Sequence, residues 1–224
     1  MATMELPELE LVPMPLYAED RMAKRPDPAG RAVPDVVALG VPQAIRLRPD
    51  DLPDDPDLAR FLRARADRAF AMVTLGVTFR PGDDDLTQAS VDVVLRADPG
   101  DELAAVAWSL APLRVAEPVA ATRRISISAD AKILNLGVES TRERTTRDVF
   151  CEAFNELRPD PYWEFTPTPA GPLRGSHRLT MVTSAPAESR VTGTVSVSAT
   201  IRHRRFGLFS ARSEDSDDTA FTVA

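Results

Sequence analysis

The sequence predicts a mainly β protein whose body, residues 72–206, is an antiparallel β-sandwich-like domain. Apolar and polar residues alternate along several runs, of which the longest is 190–205. Turn residues separate these runs, as at Pro81-Gly82 and Pro99-Gly100. Alternation with a period of two is the pattern of half-buried strands, and few helical patterns lie between the runs. Together these observations favour a sandwich or an open barrel over a parallel α/β sheet.

The first 56 residues are predicted to form an extended, proline-rich arm. They contain ten of the 20 prolines, each of which fixes φ and removes a backbone donor. This density predicts that the segment is not a regular sheet. Short apolar pieces at 9–12 and 36–39 indicate that the arm packs on something. The pattern leaves open whether that surface belongs to its own body or to a partner.

A short amphipathic helix is predicted over residues 57–71. The acids around Pro56 suit a helix start, because negative charge is favourable in the first turn and proline is tolerated there. Apolar residues from Leu58 to Phe70 follow at helical spacing, with arginines between them. We interpret the arginines as a solvated face. The alternative is a face that docks onto an acidic partner or an anionic lipid.

Strand pairing is predicted from closeness in the chain. The runs 73–79 and 91–95 are expected to form a hairpin, and the long run 190–205 is expected to pair with the run 178–183 across a short loop. The stretch 138–158 fits a helix or a strand equally well. Residues 207–224 are predicted to be an acidic, mobile tail.

Charge and cysteine content narrow the function classes. The net charge is −7, but the acids concentrate at the two ends and leave a nearly neutral body, which argues against a nucleic-acid binder. The single cysteine, Cys151, and only two histidines offer no metal-binding spacing, so no metal or cofactor is predicted. The N-terminal residues lack signal-peptide features, and no apolar run reaches the roughly 18 residues of a spanning helix. We expect a cytoplasmic protein.

The most informative candidate site is the aromatic cluster Tyr162, Trp163 and Phe165. Alternation places Trp163 and Phe165 on one face, where they are expected to anchor the core, and a ligand-stacking role for Trp163 is the alternative. The pair Ser176-His177 suggests a hydrolase. However, neighbouring residues on a strand point to opposite faces, so this pair is not expected to be catalytic.

A basic run, Arg202-His203-Arg204-Arg205, is the candidate patch for an anion or a protein partner. The alternative is that this run meets the acidic arm or tail of its own chain. Acidic runs at 50–55 and 83–85 lack the ligand pattern of a calcium loop and are interpreted as solvated loops.

These observations favour a non-enzymatic binding or assembly protein that engages a protein partner, or a second copy, through the N-terminal arm. Its 25 arginines against two lysines suggest a bacterial, GC-rich genome. One alternative is a small-ligand sensor or an enzyme with a pocket near Trp163, Ser176 and His177. Another is a membrane-acting or toxin-like effector, for which only the alternating run 191–201 has the length of a lipid-facing strand.

Overall fold

A computed structural model describes residues 2–5, 11–18, 32–52, 55–80, 85–99, 102–116, 124–127, 134–135, 150–169, 172–203, 207–213 and 220–223. Its strands in chain order are β1 (Ala2–Glu5), β2 (Leu11–Ala18), β3 (Ala32–Gly40), β4 (Gln43–Leu47), β5 (Arg68–Phe79), β6 (Asp85–Asp98), β7 (Val106–Ala111), β8 (Arg114–Val115), β9 (Arg124–Ile127), β10 (Leu134–Asn135), β11 (Cys151–Phe154), β12 (Tyr162–Phe165), β13 (Gly175–Pro186), β14 (Arg190–His203), β15 (Gly207–Ser213) and β16 (Ala220–Val223). The α-helix among these residues is α1, Pro56–Arg63. The prediction of a mainly β protein is confirmed.

Thirteen of the described strands form one antiparallel sheet that nearly closes on itself. Its order is β7, β13, β5, β3, β2, β15, β14, β6, β12, β11, β8, with β4 beside β5 and β16 beside β14. The segment 155–161 bridges β7 and β6: residues 157 and 158 exchange backbone hydrogen bonds with Ala107 of β7, while the carbonyls of Pro159 and Pro161 accept from β6. The strands of the body thus share one hydrogen-bonded sheet, and a sandwich of two sheets is not specifically shown.

The longest strands pair with partners far away in the chain. β5 pairs with β13 along its whole length, and β6 pairs with β14 from Asp85 to Asp98. Both predicted hairpins are therefore wrong, because β5 does not pair with β6 and β13 does not pair with β14. Local alternation identifies a strand but not its partner, because strand pairing depends on packing across the whole sheet.

The inner face of the sheet encloses the main core. Along β14 the apolar residues Val195, Val197 and Ile201 are fully buried, as their alternation predicts. Opposite walls meet across the interior, where the ring of Phe79 on β5 lies 5.0 Å from that of Phe165 on β12 in an edge-on arrangement. Such aromatic contacts add packing energy to the apolar area that they bury.

β2, β3 and β4 of the predicted arm lie inside the main sheet, whereas β1 belongs to a separate small sheet. β2 lies between β3 and β15. β3 and β4 both pair with β5, β3 at residues 77–79 and β4 at residues 70–74. Leu16 and Val37 are fully buried. The prediction that proline excludes a regular sheet is wrong here, because Pro13 and Pro15 are exposed and a register shift falls between Met14 and Leu16. The described apolar residues of β2 and β3 therefore pack against their own chain.

Helix α1 is shorter than the predicted 57–71 helix, since it ends at Arg63 and β5 begins at Arg68. The Asp55 carboxylate caps it by accepting a hydrogen bond from the amide of Leu58 at 2.9 Å. The helix packs on the outer face of the sheet, where Leu58 and other side chains form a second, smaller core. That core contains Leu47, Leu52, Leu58, Leu62, Phe70, Met72, Ala111 and Val182. Residues 64–67 of the predicted helix form a turn, and residues 68–71 belong to β5, which pairs with β13.

The predicted tail also contains paired strands. β15 pairs with β14 and β2, and β16 pairs with β14 along Val191–Thr194. The structure differs from the prediction because Phe221 and Val223 alternate as a strand and are buried. Residues 214–219, which carry most of the acids, lie outside the described residues.

Candidate functional site

The predicted aromatic cluster is divided between the two faces of β12. Trp163 and Phe165 are fully buried on the inner face, and the indole N–H of Trp163 donates to the carbonyl of Pro112 at 3.2 Å. Tyr162 is on the outer face and stacks on Phe154 of β11, with ring centroids 4.9 Å apart and planes 16° apart. Alternation in a strand produces this division. Trp163 is therefore a core residue, and Tyr162 is the member of the cluster that reaches solvent.

Ser176 and His177 also lie on opposite faces. The exposed hydroxyl of Ser176 is 2.9 Å from that of Thr78 on β5. The His177 ring is on the inner side, 5.0 Å from the ring of Phe150 and 5.8 Å from that of Phe79, and its Nε2 is 3.2 Å from the Arg174 carbonyl. Because the two side chains diverge, they do not form a nucleophile and base pair.

The burial of His177 predicts that the free energy of unfolding depends on pH. Desolvation lowers the pKa of His177 below its usual value of 6.5, and the backbone contact with Arg174 opposes this only in part. The unfolded chain binds the proton more readily, so the free energy of unfolding falls as pH drops through about 6.5. We expect denaturant unfolding at pH 7.5 and 5.5 to show this loss. His177→Leu should flatten the difference, and an unchanged difference in that variant would contradict the assignment.

Cys151 begins β11, within the stretch 138–158 that the sequence left open; residues 138–149 of that stretch lie outside the described residues. The thiol is buried, and desolvation, followed by the charge of Glu152, raises the pKa of Cys151 to about 12. Thiolate is the reactive form. We expect a thiol reagent to label native protein far more slowly than denatured protein at neutral pH. Equal labelling rates in the two states would show that Cys151 is accessible.

The basic run near the end of β14 is only partly described. Arg202 is exposed and lies opposite Asp85 of β6 and Leu208 of β15. The backbone of His203 ends the strand, and Arg204 and Arg205 lie outside the described residues. The patch therefore remains a prediction. Asp85 belongs to the body and to neither the arm nor the tail, so the alternative contact with the acidic arm or tail also remains a prediction.

The acidic runs have structural roles where they are described. Asp55 caps α1, and the exposed Asp50 is 3.4 Å from the guanidinium of Arg63. Asp85 begins β6, and Asp83 and Asp84 lie outside the described residues. Within the described ranges, His, Cys, Asp and Glu side chains form no group of three that could hold a metal ion.

A more organised polar surface covers the outer face of β11, β12, β6, β14 and β15. Pairing places side chains in rows that run across these strands. One row contains Phe154, Tyr162, Asp92 and Ser196, and the next contains Glu152, Glu164, Ser90, Ser198 and Arg212. We call this the outer polar face.

Hydrogen bonds between side chains fix much of the outer polar face. The Ser90 hydroxyl donates to Asp92 Oδ2 at 2.7 Å, and Gln88 Nε2 donates to Glu164 Oε1 at 2.7 Å. The guanidinium of Arg212 donates to the Ser196 hydroxyl at 3.1 Å. Alternation along the sequence did not reveal this surface. Alternation placed Tyr162 and Glu164 on one face, but their neighbours on β6 and β14 come from distant parts of the chain.

A separate three-stranded sheet is formed by β1, β9 and β10 in that order. Its registers place apolar residues opposite apolar residues and polar residues opposite polar residues. Ala2 lies opposite Ile127, which lies opposite Leu134, and Met4 lies opposite Ile125. The alternate positions are polar, and they comprise Thr3, Ser126 and Asn135 in one row and Glu5 with Arg124 in another. This small sheet is therefore amphipathic by register.

The apolar residues of the long run 191–201 do not face outward. Val191, Val195, Val197, Ala199 and Ile201 lie in the main core. A lipid-facing role for this run would require the strand to leave the core. No α-helix among the described residues has the length and apolar character needed to cross a membrane.

Comparison with known proteins leaves the family open. No protein-family model matches the chain, and no curated protein matches it. Among solved structures, it is similar to Clostridium perfringens delta-toxin, with 9% identity, a TM-score of 0.30, and coverage of 84% of this chain and 82% of that one. It is also similar to a protein titled "Pore forming protein", with 8% identity, a TM-score of 0.28, and coverage of 84% and 83%. These TM-scores are too low to support an argument about fold or function.

Proposed function

We propose that this chain is a non-enzymatic assembly protein that associates with a second copy of itself through the edge of β1. The observation that carries the proposal is the small sheet of β1, β9 and β10, which combines an amphipathic register with an outer strand that has no further strand partner in the described part of the chain. The non-enzymatic part is supported by the divergence of Ser176 from His177 and by the raised pKa of Cys151.

The two sheets differ in how their edges are used. In the main sheet, residues 157 and 158 form backbone hydrogen bonds with Ala107 of the end strand β7. In the small sheet, β10 lies close to β7, so β1 is the strand left at the outside. An edge strand with unpaired backbone groups is a template for another strand. β1 belongs to the N-terminal arm, which the sequence analysis chose as the site of assembly.

Two copies of β1 can pair symmetrically, as the two-fold symmetry of most dimers requires. In an antiparallel pairing centred on Thr3, Ala2 of one copy lies opposite Met4 of the other. This register keeps the apolar row continuous across both small sheets, because a shift of one residue would move that row to the opposite face. It also holds the two Glu5 carboxylates four residues out of register, which limits their repulsion.

Light scattering coupled to gel filtration tests the proposal on the full chain. We expect the wild type to shift from monomer to dimer or a larger assembly as its concentration rises. Met4→Lys places a charge in the apolar row at the edge and should shift the protein to the monomer. Ser126→Lys is the matched control, because it adds the same charge to the polar row of the central strand β9 and should leave assembly unchanged. A wild type that is monomeric throughout the concentration range would refute the proposal.

A second candidate, action on membranes, is favoured by the β9–β10 hairpin, in which Ile127 lies opposite Leu134. These strands contain four and two residues, so they must lengthen to reach the roughly 9–11 residues of a spanning strand. Release of a dye from vesicles of phosphatidylcholine and phosphatidylserine tests it. Leakage caused by the wild type and lost in Ile127→Lys would favour this candidate. No leakage at any protein concentration would exclude it for these lipids.

A further inference from the structure

We infer that the outer polar face around Tyr162 is a binding site for a neutral, hydroxyl-rich ligand, such as the sugar rings of an oligosaccharide. This inference is independent of the assembly proposal, because β1 does not contribute to the face. Its first observation is that other elements cover only part of the outer face of the main sheet. Helix α1 covers the outer side of β5, β7 and β13, whereas the outer side of β12 and β6 presents half-buried Tyr162, Asp92 and Glu164.

The aromatic part of the site is the stacked pair of Tyr162 and Phe154. Both rings are half-buried although they lie on the outer face, so they keep apolar surface in contact with solvent. Asp92 lies directly opposite Tyr162 on the neighbouring strand. An apolar ring surface beside a carboxylate matches a sugar ring, which has C–H groups on one side and hydroxyl groups around its rim.

The polar part of the site contains both acceptors and donors. The carboxylates of Asp92 and Glu164 accept hydrogen bonds, while Gln88 and Arg212 supply N–H groups on either side of them. A hydroxyl group donates and accepts, so it can satisfy both kinds of partner. A cationic peptide would be attracted by the carboxylates but repelled by Arg212 and by Arg114, which lies opposite Glu152 on β8. The mixed charge therefore favours a neutral ligand.

The same contacts make the site rigid before any ligand arrives. Asp92 is held by Ser90, whose hydroxyl is also 2.8 Å from that of Ser198, and Glu164 is held by Gln88. Side chains that are already fixed lose little entropy when they bind. Glu152 and Glu164 lie directly opposite each other, and each has a partner: Glu152 lies 3.9 Å from Arg114 of β8, and Glu164 accepts from Gln88. These two carboxylates are therefore also fixed in place before a ligand binds.

An array of immobilised neutral oligosaccharides, followed by calorimetric titration with those retained, tests the inference. We expect the wild type to be retained by a subset of them. Tyr162→Ala and Asp92→Asn should each weaken binding about tenfold or more, the first by removing the ring and the second by removing the acceptor charge at almost unchanged shape. Thr192→Ala is the control, since Thr192 is exposed on β14 two rows away and should bind as the wild type does.

Circular dichroism and the thermal midpoint of each variant separate loss of binding from loss of folding. Asp92→Asn keeps the test decisive if Tyr162→Ala unfolds. Three results would overturn the inference: no retention on any neutral oligosaccharide, equal affinity in the wild type and both site variants, or retention of lysine-rich and arginine-rich peptides instead. Light scattering is measured separately, so a failure here leaves the assembly proposal standing.

Discussion

Trp163→Ala is expected to lower the free energy of unfolding by about 3–5 kcal/mol, the range typical of removing a large aromatic side chain from a core. Trp163 has no exposed surface. Phe165, the next residue on the same face of β12, contacts Phe79 across the interior. The substitution leaves a cavity between opposite walls of the sheet. It also leaves the carbonyl of Pro112 without the donor that it has at 3.2 Å.

Guanidinium unfolding followed by fluorescence measures this effect, because Trp108 remains as the probe when Trp163 is replaced. Trp163→Phe is the matched control. It keeps most of the buried volume and should cost clearly less than Trp163→Ala. Leu157→Ala, at an exposed position, should change the free energy by no more than about 0.5 kcal/mol. An effect of Trp163→Ala as small as that of Leu157→Ala would contradict the assignment of Trp163 to the core.

Gly193→Ala is expected to destabilise the protein by about 1–3 kcal/mol, the usual range for overpacking in a core. Gly193 lies opposite Phe221 in the ladder of β14 with β16, and a Cβ atom at this position would overlap the Phe221 ring. The ring must therefore move, which disturbs the pairing of β16. Thermal unfolding monitored by circular dichroism measures the loss.

A double-variant cycle tests the physical reason for this loss. Phe221→Ala removes the ring that the new methyl group would strike. Gly193→Ala should then cost much less in the Phe221→Ala background than in the wild type, which is a coupling between contacting residues. Strictly additive effects would show that the ring and the glycine are not in contact. The glycine would then act only through its backbone.

Alternation in the sequence predicted where strands lie better than how they pair. It placed Val195, Val197 and Ile201 on one face of β14, and all three are buried. Pairing depends instead on which ladders together bury the most apolar surface, a property of the whole chain. For this reason β6 and β14, which no local turn connects, form the longest ladder while the expected hairpins do not form.

The same distinction explains the candidate sites. Trp163 was correctly expected in the core, because alternation with a large aromatic residue is a local signal. The outer polar face was not predicted, since Tyr162, Asp92 and Ser196 come together only through two long-range pairings. The high proline content of the arm led to the wrong prediction that the arm is not part of a regular sheet. Pro13 and Pro15 of β2 occupy exposed positions beside a register shift, where sheets tolerate proline.

Disulfide trapping with Thr3→Cys tests the proposed assembly most directly. Residues that face each other in an antiparallel pair have Cα atoms about 4.5–5.5 Å apart, within the range that a disulfide spans. The single native cysteine, Cys151, is buried and has a raised pKa, so it does not compete. Under mild oxidation we expect full-length Thr3→Cys to form a covalent dimer that migrates at twice the chain mass without reductant and reverts when reductant is added.

Met4→Cys is the matched control, because the proposed register places position 4 opposite position 2 of the other copy and holds the two new thiols out of reach. We predict that the Thr3→Cys protein cross-links readily and that the Met4→Cys protein does not. The contradicting results are a Thr3→Cys protein that stays monomeric at concentrations where the wild type assembles, or preferential cross-linking through Met4→Cys.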